Sequence, residues 1–267
     1  MSGMFVMAPG FLRAMRRFLF WHLPLIAAIA AGLTFGAGFY SFLRGETGTP
    51  VDLIPAGSAA AVTPPQQLVS PIILGDSLAR GAGDATGLGI GGRLDAELKR
   101  RNLQAKKTTN IAVNGTRTAD LVRQLDSANV RRLLGESNVI IVSIGGNDLW
   151  GGTDWRNAPP DDPEMVMDGV LERVGRAIEL IRDASPQARI YFIGLYNPFA
   201  SSPSGPQLSS LVARWNAKLM ERLSADSNVT VVQTADIFAH RDRLSLDRFH
   251  PGDEGYALIA RRIADSI

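Results

Sequence analysis

The sequence contains no cysteine and only three histidines among its 267 residues. The absence of cysteine excludes disulfide bonds, a thiolate metal site and a cysteine nucleophile. A histidine-rich metal site is not expected either, and we predict that the protein uses neither a metal nor a cofactor. The scarcity also limits the search for a histidine that acts as a general base to His22, His240 and His250.

The chain also has little net charge, with a formal value of +2 at neutral pH. Residues 1–50 carry four arginines and one glutamate, so residues 51–267 hold 24 basic and 25 acidic groups. The basic excess therefore belongs to the amino-terminal region, and the rest of the chain lacks the excess expected for nucleic-acid binding. We predict no nucleic-acid partner, and the sequence leaves the oligomeric state open.

Near the amino terminus, residues 18–43 form an uncharged, largely apolar run of 26 residues. About 20 apolar residues are enough to cross the hydrocarbon core of a bilayer. The run therefore predicts one transmembrane helix behind a short basic segment, residues 1–17. Three arginines precede the run and one follows it within the next twenty residues. By the positive-inside rule, we predict a single-pass membrane protein with a cytoplasmic amino terminus and an extracytoplasmic remainder.

A cleaved signal peptide is the competing interpretation of this run, since it too has a basic front and an apolar middle. The run exceeds the ~7 to 15 apolar residues of a typical signal. No small-x-small cleavage site stands directly behind it, because Gly36-Ala37-Gly38 lies inside the run and Ala59-Ala60-Ala61 lies well beyond it. We therefore favour an uncleaved anchor. Residues 44–67, rich in Pro, Gly and Ala, predict a partly extended tether.

Residues 68–267 alternate apolar strand patterns with helical patterns. The predicted strands are Leu68–Leu74, Thr108–Val113, Asn138–Ile144, Arg189–Leu195 and Asn228–Val232, and the predicted helices lie near Leu88–Arg101, Thr118–Leu134, Pro163–Ala184, Gln207–Ser224 and Glu254–Ile267. Strands of nearly continuous apolar character that alternate with helices predict a parallel sheet covered on both faces. We predict one α/β domain, a three-layer αβα flavodoxin-like fold with a five-stranded parallel sheet.

The tetrapeptide Gly75-Asp76-Ser77-Leu78 follows the first predicted strand and places a serine at the carboxyl edge of the sheet. Open α/β folds build their sites at that edge, although such a tetrapeptide alone is also ordinary turn chemistry. Three further segments follow in order: Val113-Asn114-Gly115, Gly145-Gly146-Asn147-Asp148 and Asp247-Arg248-Phe249-His250-Pro251. The first two of these also come after apolar, β-branched runs, so we expect them at strand ends as well.

A serine nucleophile needs an adjacent base, and that base needs a third group to hold its tautomer and orientation. His250 is the candidate base because Asp247 lies three residues upstream of it. In a tight loop, that spacing lets the carboxylate reach Nδ1 while Nε2 faces outward. We interpret His22 as an interfacial side chain and His240 as structural, and predict Ser77, Asp247 and His250 as the catalytic residues.

Acyl transfer also needs hydrogen-bond donors aimed at the oxyanion of the tetrahedral intermediate. The candidates are the backbone N–H of Ser77, the backbone N–H of Gly115 and the side-chain amide of Asn147. A glycine lets the backbone approach the substrate closely, and an asparagine is a neutral donor that cannot compete as a base. In isolation, Gly115 and Asn147 would be interpreted as turn residues. Asp76 and Asp148 are expected to be supporting or turn residues.

In their order and spacing, these four segments resemble the signature blocks of the SGNH, or GDSL, hydrolase family over roughly residues 68–267. The resemblance implies the same three-layer fold and a serine hydrolase of carboxylic esters. It also implies that Ser77, Gly115, Asn147 and His250 match the Ser, Gly, Asn and His of that family. The expected partner is a small acyl-ester or lipid substrate, as for a lipase or lysophospholipase. The alternatives are a cell-wall or glycan O-acetyl esterase or acetyltransferase, and a non-catalytic surface protein on a hydrolase fold.

Four aromatic residues follow strand ends in loops that we expect to overhang Ser77. Trp150 and Trp155 come after the Asn147 segment, and Tyr196 and Phe199 come after the fourth predicted strand. They are possible substrate-binding residues that could contact an acyl chain or stack on a sugar. The alternative is that they cover the core beneath long loops.

Overall fold

The computed structural model describes residues 18–44, 68–150 and 162–267. The chain divides into two compact units, Met1–Val62 and Thr63–Ile267. The predicted basic segment 1–17, the predicted tether apart from Arg44, and Trp155 lie outside the described residues.

The described part of the first unit is one apolar helix. A π-helical turn, Phe18–His22, leads into α1, Leu23–Leu43. The segment Phe18–Ser41 is 24 residues long, and no part of it is buried inside the protein. At about 1.5 Å per residue such a helix is roughly 36 Å long, more than the ~30 Å hydrocarbon core of a bilayer. The helix is therefore long and apolar enough to cross a membrane, a test that a signal sequence also passes.

The second unit alternates strands and helices along the described chain. In order, its elements are β1 Pro71–Gly75, α2 Ser77–Arg80, α3 Gly89–Arg100, β2 Thr109–Asn110, α4 Thr118–Leu125, α5 Ala128–Gly135, β3 Val139–Ser143, α6 Gly146–Trp150, α7 Pro163–Ala184, β4 Arg189–Ile193, α8 Gly205–Leu223, β5 Val229–Val232 and α9 Asp253–Ala264. Two short 3₁₀ turns, Ile237–Ala239 and Arg241–Arg243, lie between β5 and α9.

The five strands form one sheet in the order β2-β1-β3-β4-β5, and every neighbouring pair is parallel. This is the flavodoxin-like order, in which the chain first extends the sheet to one side of β1 and then crosses to the other. The carboxyl ends of β1 and β3 therefore flank a crevice, and the register pairs Gly75 with Ser143 there. Both of these central strands are buried along their whole length.

Successive residues of β1 point into two different cores, one on each face of the sheet. Ile72 and Leu74 belong to the core beneath α4, α5, α7 and α8, whereas Ile73 belongs to the core beneath α3 and α9. This alternation is the normal period of a strand, and it requires apolar side chains at every position of a strand covered on both faces. The predicted three-layer αβα fold with a five-stranded parallel sheet is confirmed.

The helix predicted over Thr118–Leu134 is two helices in the structure. The chain leaves the helical path at Asp126 and Ser127, where the Ser127 N–H bonds to the Gln124 carbonyl oxygen at 3.2 Å. Aspartate and serine compete with the helical backbone for hydrogen bonds and favour helix ends. The break therefore has a local cause.

The strand predicted over Thr108–Val113 is regular only at Thr109 and Asn110. This strand lies at the edge of the sheet and pairs on one side only, with β1. The Asn110 side-chain oxygen accepts a hydrogen bond from the Ala112 N–H at 3.0 Å and so bends the chain. Even so, the Val113 N–H still donates to the Gly75 carbonyl oxygen at 2.9 Å. The loop that follows therefore starts at the carboxyl end of β1.

Candidate active site

The turn that presents Ser77 depends on a glycine at the end of β1. Gly75 has a φ of +124°, a backbone conformation that other residues rarely adopt. A Cβ atom at this position would lie 1.8 Å from the carbonyl oxygen of Ser143. The same oxygen accepts a hydrogen bond from the Asp76 N–H at 3.0 Å. Only glycine lets β1 approach β3 this closely, and the chain then turns into α2 with Ser77 as its first residue.

Asp76 ties this turn to β3. Its buried carboxylate accepts hydrogen bonds from the Leu78 N–H at 3.1 Å and from the Ser143 hydroxyl at 3.1 Å. The first bond caps α2, and the second joins the turn to the end of the neighbouring strand. Burial raises the pKa of Asp76 from its usual 3.8 to about 6, in spite of the opposing effect of these hydrogen bonds. Asp76 therefore holds the Ser77 turn in place and carries its charge at a cost in stability.

Ser77, His250 and Asp247 form a continuous hydrogen-bonded chain. The Ser77 Oγ lies 2.8 Å from His250 Nε2, and His250 Nδ1 lies 2.6 Å from Asp247 Oδ2. Asp247 also accepts bonds from the Ser245 hydroxyl at 2.6 Å and from the backbone N–H groups of Phe249 and His250. A carboxylate on Nδ1 selects the tautomer in which Nε2 can accept the serine proton.

The charge of Asp247 is maintained by its partners. Burial by itself would raise the pKa of this carboxyl, but hydrogen bonds from Ser245, from the His250 ring and from two backbone N–H groups hold the pKa well below its usual range. Asp247 is therefore ionised at neutral pH. An ionised carboxylate on Nδ1 would stabilise a protonated His250 ring during a reaction.

The loop that carries Asp247 and His250 is fixed at both ends and from the side. The Ser245 N–H donates to the His250 carbonyl oxygen at 2.8 Å, and Arg248 adopts a left-handed φ of +55°. The Tyr196 hydroxyl donates to the Phe249 carbonyl oxygen at 2.6 Å. Tyr196 is only 7% exposed. Tyr196 therefore supports the His250 loop as well as lining the cleft beside it.

The two other predicted donors lie on neighbouring segments. Gly115, with a φ of +79°, sits in the loop after β2, and open space surrounds the position that a Cβ would take. Asn147 is the second residue of α6, and its Nδ2 donates to the Thr116 carbonyl oxygen at 2.9 Å. A side-chain amide has two N–H donors. The amide can therefore bond Thr116 and still offer a donor to a substrate oxygen.

One cleft contains Ser77, Asn147 and His250 together with apolar and aromatic side chains, which are Trp150, Leu195, Tyr196, Pro198 and Phe249. Phe199 packs edge-on to Trp150, with ring centroids 6.0 Å apart, and against Phe249 at 5.7 Å. Of the predicted substrate-binding residues, Trp150 and Tyr196 thus line the cleft, and Phe199 packs against two of its walls. Asp76 and Leu78 also line it, whereas His240 is exposed and is not among its lining residues.

Sequence reasoning missed Leu195, Pro198 and Phe249 as cleft residues. Signals for all three were present, because Leu195 and Pro198 flank Tyr196 at the end of the fourth predicted strand and Phe249 precedes the candidate base. The short helices α2 and α6 were missed as well. Both are single turns that begin directly behind a strand end, and four or five residues are too few to show a helical period.

Residues 73–258 match the model of the GDSL-like Lipase/Acylhydrolase family. The match covers well over half of the chain, and the chain belongs to this family. The predicted family is thereby confirmed, and the protein is a hydrolase of carboxylic esters.

Two known proteins are similar to this chain in sequence, and one solved structure is similar to it in fold. The uncharacterized protein YpmR of Bacillus subtilis is 28% identical over 205 residues, which cover 73% of this chain and 79% of YpmR. The spore germination lipase LipC of Bacillus licheniformis is 24% identical over 204 residues, covering 71% of this chain and 92% of LipC. The crystal structure of the lipase Lip_vut3 from a goat rumen metagenome superposes with a TM-score of 0.63 at 21% identity, covering 74% of this chain and 97% of Lip_vut3. The last likeness shows that the fold is shared.

Proposed function

We propose that this protein is a membrane-tethered, extracytoplasmic serine hydrolase of acyl or lipid esters, in which Ser77 is the nucleophile, His250 the base and Asp247 the group that orients it. The observation that carries the proposal is the unbroken chain from Ser77 Oγ to His250 Nε2 at 2.8 Å and from His250 Nδ1 to Asp247 at 2.6 Å. Ser77 and His250 lie at the carboxyl edge of the sheet, in a cleft with aromatic walls.

The proposed acylation step begins with proton transfer from the Ser77 hydroxyl to His250 Nε2. Ser77 Oγ bonds to the ester carbonyl carbon, and the carbonyl π electrons move to the oxygen. The backbone N–H groups of Ser77 and Gly115 and the Asn147 amide donate to that oxyanion. The intermediate then collapses, the bond to the alcohol oxygen breaks, and His250 returns its proton to the leaving alcohol.

Deacylation repeats these steps with water as the nucleophile. His250 takes a proton from the water as its oxygen bonds to the acyl carbon, and the same three donors hold the second oxyanion. Collapse of this intermediate breaks the bond to Ser77 Oγ, which regains a proton from His250. The carboxylic acid leaves, and the enzyme returns to its starting state.

The exposed apolar side chains of the first-unit helix support the proposed attachment to a membrane. Large apolar side chains such as Trp21 and Phe35 are 76% and 77% exposed along Phe18–Ser41, and burying them in lipid would remove that surface from water. A chain with three arginines before this helix and one after it would insert with its amino terminus in the cytoplasm. A cleaved signal would also export the catalytic unit, but it would release a soluble protein.

The test of the nucleophile is labelling by a fluorophosphonate probe. We expect the full-length wild-type chain, kept in detergent, to be labelled and to hydrolyse p-nitrophenyl esters, and Ser77→Ala to do neither with little change in melting temperature. Ser185→Ala is a matched control, because its buried hydroxyl bonds the Ser137 carbonyl oxygen at 3.0 Å and it is not among the lining residues of the cleft. Labelling that persists in Ser77→Ala would place the nucleophile elsewhere, and an unlabelled wild type would favour a non-catalytic protein.

The substrate class follows from a second measurement, a chain-length series of p-nitrophenyl esters run beside a lysophospholipid and an acetylated glycan. The apolar walls of the cleft favour acyl chains longer than acetyl. A steep preference for acetyl groups would instead support the glycan O-acetyl esterase or acetyltransferase.

A further inference from the structure

A polar cluster of Thr118, Asp148 and Arg173, the first two buried and the third partly exposed, lies beside the proposed oxyanion donors. Thr118, the first residue of α4, is 1% exposed, and the Asp148 side chain on α6 is 7% exposed. The Thr118 N–H donates to Asp148 Oδ2 at 2.9 Å, and the Thr118 hydroxyl donates to Asp148 Oδ1 at 2.7 Å. One carboxylate thus accepts two hydrogen bonds from one residue that lies 30 positions away in sequence.

Arg173 completes the cluster from α7. Its Nε donates to the Thr118 hydroxyl oxygen at 2.8 Å, and its Nη2 lies 3.5 Å from Asp148 Oδ1. A hydroxyl has a single proton. With an arginine N–H on the oxygen, that proton must point to Asp148. The guanidinium also supplies the positive charge that a largely buried carboxylate requires.

The cluster joins the two segments that carry the outer oxyanion donors. Thr118 follows Gly115 by three residues, and Asp148 follows Asn147 directly. The Asn147 amide adds a third link, its bond to the Thr116 carbonyl oxygen at 2.9 Å. Three hydrogen bonds therefore connect the start of α4 to the start of α6, and each of them lies within three residues of a donor.

We propose that Thr118 and Asp148 are positioning residues that set the separation of the Gly115 N–H and the Asn147 amide, and so the geometry of the oxyanion hole. The proposal rests on the proposed function. Donors act only when they lie about 2.7 to 3.1 Å from the developing oxyanion, and a displacement of about 1 Å can cost roughly 100-fold in rate. The loop that holds Gly115 is exposed and follows an edge strand. It thus needs such a restraint from outside the sheet.

A second threonine–aspartate pair with the same kind of hydrogen bonds offers a matched control. The Thr108 N–H and hydroxyl both donate to the Asp95 carboxylate, at 2.9 and 2.5 Å. This pair joins α3 to the chain before β2, and neither residue lines the cleft. Removing either threonine hydroxyl should lower stability, but only the loss at Thr118 should disturb the oxyanion donors.

The experiment compares Thr118→Val, Thr118→Ser and Thr108→Val in the full-length chain, with p-nitrophenyl butyrate as substrate. Thr118→Val should lower kcat about 10- to 100-fold, less than the loss of a whole donor, and change KM by less than about 3-fold. Thr118→Ser keeps the hydroxyl and should recover most of that loss, and Thr108→Val should keep kcat. If Thr118→Val does not fold, Asp148→Asn serves in its place. The Thr118 N–H and hydroxyl bond two different oxygens of Asp148, and an asparagine side chain has only one oxygen.

A double-mutant cycle with Asn147→Ala separates positioning from a purely structural role. If Thr118 acts through the oxyanion hole, the fold-loss in kcat caused by Thr118→Val should be several-fold smaller in the Asn147→Ala background than in the wild type. The proposal would be overturned if the fold-loss in kcat of the double variant equalled the product of the two single-variant losses. It would also be overturned if Thr108→Val lost as much kcat as Thr118→Val. If the wild type reacts with fluorophosphonate and Thr118→Val is fully active, the positioning role alone is refuted. If the wild type does not react, the proposed function is refuted.

Discussion

Replacing Asn147 with alanine would remove one proposed oxyanion donor from the cleft and one hydrogen bond that connects α6 to the loop before α4. The proposed donor acts on the oxyanion, which exists only after Ser77 has attacked the ester. The structural bond runs from Asn147 Nδ2 to the Thr116 carbonyl oxygen at 2.9 Å. The two losses should therefore appear in different measurements, the first in kcat and the second in the free energy of unfolding.

The magnitudes of these two losses differ. Loss of a side-chain oxyanion donor costs about 2.7 to 4 kcal/mol in the barrier, or roughly 100- to 1000-fold in kcat. KM should change little, because the interaction is stronger in the transition state than in the bound substrate. Loss of the half-buried bond to Thr116 should cost about 1 kcal/mol in stability, which is about 2 to 4 °C in the melting temperature of a domain of this size.

The assay measures kcat and KM on p-nitrophenyl butyrate beside a melting curve for each variant. Asn147→Asp should be no better than Asn147→Ala, since a carboxylate repels both the oxyanion and the Thr116 carbonyl oxygen. Asn138→Ala is the matched control: Asn138 Nδ2 donates to the Leu68 carbonyl oxygen at 2.8 Å at the amino end of β3, so its loss should lower stability and leave kcat unchanged. Near-normal kcat in a folded Asn147→Ala would refute the reasoning and leave Asn147 with only its structural bond to Thr116.

Three further predictions concern the base, the buried carboxyl and the membrane segment. His250→Ala should lose most activity and His240→Ala should keep it; the opposite ranking would show that the base is misassigned. Because the pKa of Asp76 is raised from 3.8 to about 6 in the folded protein, the unfolded chain releases this proton first. The free energy of unfolding should therefore fall by roughly 2 kcal/mol as pH rises from about 4 to about 6. Urea titrations of Asp76→Asn, whose amide oxygen can accept the same two bonds, should lack this decrease, and equal slopes in both proteins would contradict the assignment. The full chain should fractionate with membranes and resist carbonate extraction, and protease added to spheroplasts should cut within residues 45–67 and release the catalytic unit. A soluble mature protein that starts near Gly45 or Ala61 would instead reveal a cleaved signal.

The central strands could be predicted from the sequence because both of their faces are buried. β1 and β3 have apolar residues at nearly every position, so composition alone marks them. The edge strand β2 was predicted too long, since an edge strand has one neighbour and less to hold it in a regular conformation. The break between α4 and α5 had a local signal in Asp126 and Ser127, which the apolar helical period on either side concealed.

The sequence by itself determined the buried strands, the long helices and the local chemistry of this protein. Short-range constraints act there: an apolar run buries as a strand, Gly75 permits a turn that other residues cannot adopt, and Asp247 three residues before His250 can reach its ring within one loop. The order of the four segments was enough to indicate the family and to name Ser77 as the candidate nucleophile.

Only the tertiary structure decided which distant groups meet. The contact between Ser77 and His250 joins residues 173 positions apart, and the Tyr196 bond to the Phe249 carbonyl oxygen spans 53. The two hydrogen bonds from Thr118 to Asp148 likewise depend on where α4 and α6 begin relative to the sheet. Such contacts follow from the strand order, the register of β1 against β3 and the packing of helices on both faces. These are properties of the whole folded chain, and no local pattern contains them.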